Sequence, residues 1–87
     1  MDIMKGDVLT LKNDKYIVIE TLNYQNNNYI FTDKLNNDEV CKEYNIFKID
    51  GDYVEIIEDK ILNNELTEKF KKLINEDLNY FLERNLS

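Results

Sequence analysis

The spacing of apolar residues changes once along this chain, near residue 60, from a period of two to one of about 3.6. Past that point Leu62, Leu66, Phe70, Leu73, Ile74, Leu78, Phe81 and Leu82 recur at intervals of three and four, as one face of an α-helix does. Before it, short runs rich in β-branched and aromatic residues alternate with turn residues. A stripe this wide must be buried, and the only sizeable partner surface is the face of a sheet. The predicted class is therefore α+β: an antiparallel meander of about five strands, then one C-terminal amphipathic helix packed on it.

The strand runs are Val8 to Leu11, Tyr16 to Tyr24, Tyr29 to Leu35, Glu39 to Ile49 and Tyr53 to Glu58. Gln25-Asn26-Asn27-Asn28 and Asn36-Asn37-Asp38 read as turns, because Asn tolerates positive φ. Asp50-Gly51 is the strongest hairpin signal. Several strands carry apolar residues at both parities, so either the sheet curls toward a barrel or its second face meets a partner. The helix is expected over residues 64–84, capped by Asn63 or Asn64 and favoured electrostatically by Glu65 and Glu68. Residues 1–87 form one domain, with strands over residues 7–58 and no linker or internal repeat.

Composition narrows the function. The chain has no His, one Cys, two Gly and no Pro, and eighteen acidic residues against eleven basic give a net charge of -7. Negative charge repels nucleic acid and anionic membranes, so no direct contact with either is expected. Lys69, Lys71 and Lys72 are interspersed with Glu65, Glu68 and Glu76 and read as a solvated helix face. Cys41 has no disulfide partner and no His to act as its base, so it reads as a small apolar strand residue. Met1 to Gly6 lacks a long apolar run, and the longest such run anywhere is Tyr16 to Ile19. A cytoplasmic, reducing bacterial compartment is the expectation. Abundant Asn, Ile, Lys and Tyr without Ala or Trp fits an AT-rich bacterial, phage or plasmid genome.

Asp50-Gly51-Asp52-Tyr53-Val54-Glu55-Ile56-Ile57-Glu58-Asp59 holds five carboxylates and no basic residue. It reads as a solvated hairpin edge, as an acidic protein-binding patch, or as a divalent metal site. Asp50 and Asp52 only begin the alternating carboxylate pattern of a calcium loop, and the strand at Tyr53 interrupts it. Paired carboxylates serve acid–base catalysis only in a concave pocket, and the chain has no phosphate loop, nucleophile elbow or Cys/His spacing. The expectation is a non-enzymatic protein without cofactor or metal. Six tyrosines, at positions 16, 24, 29, 44, 53 and 80, are many for this length. Tyr beside carboxylates suits a cationic partner, since Arg pairs with the acid and stacks on the ring.

Lys5-Gly6-Asp7-Val8-Leu9-Thr10-Leu11, Lys15-Tyr16-Ile17-Val18-Ile19, Asn28-Tyr29-Ile30-Phe31 and the acidic C-terminal helix together resemble small strand-meander-plus-helix proteins of low-GC Gram-positive bacteria and their mobile elements. In size, charge and coding bias the chain is also similar to acidic phage-encoded inhibitors of the anti-CRISPR and DNA-mimic kind. That likeness implies an inhibitor that blocks the basic nucleic-acid-binding surface of a partner. On this reading Asp50, Asp52, Glu55, Glu58 and Asp59 bind the partner and Tyr53 anchors it. The alternative is a bacterial housekeeping or regulatory domain acting through homodimerisation, a sheet edge or a helix face, with Phe81 and Leu82 in the interface.

Overall fold

The computed structural model describes the backbone of residues 3–86 and the side chains of residues 3–76. Five strands, β1 (Val8–Leu11), β2 (Asp14–Tyr24), β3 (Asn27–Asn36), β4 (Glu39–Asp50) and β5 (Tyr53–Ile56), precede one helix, α1 (Lys60–Leu86). The sheet is antiparallel throughout in the order β1-β2-β3-β4-β5, a meander in which sequence neighbours are spatial neighbours. The α+β architecture read from the sequence is the one observed.

Local chemistry sets the turns. Gln25 and Asn26 have φ of 52° and 64°, and Asn37 and Asp38 have 53° and 67°. Paired positive φ values give the turn whose twist matches the flanking strands, and Asn and Asp tolerate that region better than most residues. At the last hairpin the tip is Gly51-Asp52, and Asp50 belongs to β4, opposite Tyr53. Gly51, at φ 59°, takes the first central position, where no side chain is strained.

The chain has two cores, one on each face of the sheet. Tyr29, Ile46, Leu66 and Phe70 are buried between sheet and helix, with Leu22, Tyr24, Phe31, Ile57 and Leu62 packed around them. Phe31 stacks on Phe70, with ring centroids 5.5 Å apart. On the opposite face Val18, Ile30 and Phe47 are buried, flanked by Leu9 and Leu11 from β1 and Val54 from β5. Both edge strands reach the same central trio, so the sheet curls into a half-barrel that covers its own second face. Of the two explanations for apolar residues at both parities, curling is the one observed.

A bulge makes this possible. β2 pairs Val18 with Thr32 but Glu20 with Phe31, which leaves Ile19 without a partner. The extra residue reverses the side-chain parity of β2. Tyr16 and Val18 thus belong to the concave core, whereas Leu22 and Tyr24, of the same parity, lie under the helix. In β4 a second irregularity sets Cys41, Lys42 and Glu43 against the single residue Lys34, with Lys42 at φ 57°.

The helix begins at Lys60, four residues earlier than residue 64. Asp59 rather than Asn63 or Asn64 is its cap: the Asp59 Oδ1 accepts from the backbone N–H of Ile61 at 2.9 Å and of Leu62 at 3.2 Å. Asn63 instead uses its backbone carbonyl to accept the Thr67 hydroxyl at 2.7 Å. Leu66 and Phe70 of the stripe are fully buried. Leu78, Tyr80, Phe81 and Leu82 lie outside the residues whose side chains are described. Among the described residues, no helix is long and apolar enough to cross a membrane.

Candidate functional site

The β4–β5 hairpin and the link to α1 carry the acidic run. Its register pairs Asp50 with Tyr53, Ile49 with Val54, Lys48 with Glu55 and Phe47 with Ile56. Paired residues share a face. Asp50, Tyr53, Lys48 and Glu55 therefore lie on the helix side of the sheet, and Val54 and Ile56 on the concave side with Phe47. Asp50, Asp52, Tyr53, Glu55, Glu58 and Asp59 are all exposed. Tyr53, at 74% exposure, has the most open ring of the described tyrosines.

The structure separates these residues by role. Asp59 spends its carboxylate on capping α1. Glu55 stands opposite Lys48, which offsets part of its field. Two apolar side chains join them that sequence patterning did not single out: Ile56, 72% exposed, and Ile61, 73% exposed. Ile61 precedes the buried helix stripe by one position, which was the available signal. Strand alternation puts Ile56 on the face of Val54 and Ile57 on the other, as observed; what alternation does not give is that Ile56 stays open while Ile57 turns under the helix to join its core.

The other described tyrosines are largely structural. Tyr29 is buried. Tyr16 meets Phe47 edge-on at 5.2 Å, and Tyr44 stacks on Phe31 at 5.3 Å while staying half open to solvent. Tyr24 ties sheet to helix: its hydroxyl donates to Glu65 Oε2 at 3.3 Å, and Lys69 Nζ lies 4.7 Å from its ring centroid. Desolvation, then the Glu65 carboxylate, raises the Tyr24 hydroxyl above the ordinary phenol value. Cys41 is half-exposed in the irregular part of β4, contrary to a buried apolar role, and beside it Val40 is 57% exposed.

Two carboxylates inside the strands were not singled out either. Glu20 is buried on the helix side, where Lys5 Nζ lies 2.9 Å from its Oε2, and its Oε1 accepts from the Thr21 N–H at 3.1 Å. Asp33 is only 4% exposed, between Ile17 and Tyr44 in the register, and among the described residues its Oδ1 has no hydrogen-bond partner. An orphaned buried oxygen costs about 1–3 kcal/mol. Asp33→Val, which replaces it with a strand-favouring apolar residue, is expected to raise stability by about 1–2 kcal/mol. A urea melt checks this, and a lowered midpoint would mean that the carboxylate holds the fold rather than straining it.

The concavities among the described residues include open clefts. One, of about 560 Å³, is lined by Asn13, Asp14, Lys34, Asn37, Cys41 and Glu43 among others, and Lys34 Nζ lies 3.6 Å from the Asp14 carboxylate and 3.9 Å from that of Glu43. Its central cation is thus already paired with two of its carboxylates. Among the described residues, no three His, Cys, Asp or Glu side chains converge as metal ligands. No family model, curated protein or solved structure matches the chain.

Proposed function

We propose that this chain is a non-enzymatic, acidic protein-binding module whose β4–β5 hairpin occupies a basic nucleic-acid-binding surface of a partner protein, as an inhibitor of the DNA-mimic or anti-defence kind. The observation that carries the reading is the hairpin itself. From Ile49 to Asp59 there is no basic residue, the carboxylates of Asp50, Asp52, Glu55 and Glu58 are all exposed, and Asp50 and Glu55 share the face of the sheet that carries the open ring of Tyr53. Carboxylates presented this way substitute for phosphates before a Lys/Arg array, steer association, and lose affinity as salt rises. An exposed Tyr adds a rigid contact on which a guanidinium stacks.

The test is a pull-down from nuclease-treated bacterial lysate with stepped salt elution and mass spectrometry. The wild type is expected to retain one basic nucleic-acid-binding protein, released at high salt and displaced by added DNA or RNA. The triple charge reversal Asp50→Lys, Asp52→Lys, Glu55→Lys is expected to lose it. An empty eluate, or capture that survives the charge reversal, overturns the reading. Recovery of the bait alone as a dimer transfers the weight to a regulatory domain that self-associates.

A further inference from the structure

We infer that the outer edge of β5 is a docking edge for an extended segment of the partner in which basic and apolar residues alternate. The inference rests on the function proposed above and specifies the form of the partner. Three features of β5 converge on it.

The first is the unpaired edge. β5 is the last strand of the sheet, bonded to β4 on one side, and no described strand pairs with its other side. The two-residue tip makes Asp50 and Tyr53 the first hydrogen-bonded pair of the hairpin, so Tyr53 and Glu55 turn their backbone groups toward β4. Alternation then directs the N–H and C=O of Val54 and Ile56 outward, where an added strand would bond them.

The second is the division of faces. Tyr53 and Glu55 lie on the helix side, while Val54 and Ile56 lie on the concave side. Val54 is part of the concave core, and Ile56 stands 72% exposed at its rim. An added strand would place every second side chain beside Tyr53 and Glu55, and the others beside Val54 and Ile56. Lys or Arg suits the first set and Val, Ile or Leu the second.

The third is charge. A second copy of this chain would bring another net charge of -7 to an edge flanked by Asp50, Glu55 and Glu58. A basic strand reverses that sign. The outer part of β4 is less suited, being interrupted at Lys42, whose positive φ breaks the extended backbone.

The experiment titrates two synthetic peptides of one composition into the ¹⁵N-labelled full chain. One alternates Lys with Val and Ile; the other groups its lysines at one end. The alternating peptide is expected to bind about tenfold tighter, with shifts and slowed hydrogen exchange at the Val54 and Ile56 amides. Ile56→Pro removes one outward donor without touching the ladder to β4 and is expected to weaken that peptide about tenfold, leaving the grouped peptide unchanged. Equal affinities for the two peptides, or an Ile56→Pro variant that binds like the wild type, overturn the edge while leaving the charge-based function standing. Failure of both peptides to bind at low salt overturns the edge and removes the support of charge recognition as well. Should Ile56→Pro fail to fold, the comparison of the two peptides on the wild type decides alone.

Discussion

Phe70→Ala is expected to destabilise the protein by about 3–5 kcal/mol. A domain of this size holds roughly 5 kcal/mol, so the variant should be largely unfolded at room temperature or close to it. The reason is position. Phe70 has no exposure, stacks on Phe31 at 5.5 Å, and belongs with Leu66 to the set that joins helix to sheet. Removing the ring leaves a cavity under a helix whose contact with the sheet depends on few side chains, and the sheet below is too rigid to close it. A urea melt followed by far-ultraviolet circular dichroism reads the result. A loss below about 1 kcal/mol would mean that the helix is not docked as described.

Phe47→Ala is expected to cost nearly as much, about 3 kcal/mol or more, and it tests a different part of the fold. Phe47 lies on the face away from the helix, is 6% exposed, and receives Tyr16 edge-on at 5.2 Å. In a flat sheet this side chain would face solvent or a partner, and its truncation in the isolated chain would cost under about 1 kcal/mol. In the half-barrel, Leu9, Leu11 and Val54 close over the same cluster, and the loss is a core loss. The same melt that measures Phe70→Ala therefore measures the curl of the sheet. A small effect at Phe47 beside a large one at Phe70 would overturn the second core.

Much of the architecture was legible because short-range chemistry carries it. The Asn-rich turns, the Gly51 hairpin and the three-and-four spacing of Leu62, Leu66 and Phe70 are local signals. The helix residues pack as their spacing predicts. The turns lie within the predicted stretches or one residue on, with tips at Gln25-Asn26, Asn37-Asp38 and Gly51-Asp52, while Asn27, Asn28, Asn36 and Asp50 belong to the flanking strands. The start of α1 was less legible, since Asn63 and Asn64 are good cap residues in isolation. Asp59 won because Ile57, two residues earlier, packs into the core and fixes where the chain turns into the helix. The acidic hairpin could be read as a run of charge, but its parts could not be sorted. That Asp59 caps a helix, that Glu55 faces Lys48, and that Ile56 points outward while Ile57 points inward all depend on register.

By itself, the sequence determined the order of elements, the antiparallel meander and the concentration of negative charge between Asp50 and Asp59. These follow from periodicity, turn residues and ionisation, which are properties of neighbours along the chain. The tertiary structure decided which face each strand residue serves. The unpaired Ile19 reverses the parity of β2 midway, sending Val18 to one core and Leu22 to the other. It also decided that Glu20 and Asp33 are buried, that β1 and β5 close over a second core, and that no described strand pairs with the outer edge of β5. A bulge is one extra residue in a ladder between strands, and only the pairing of distant segments reveals it.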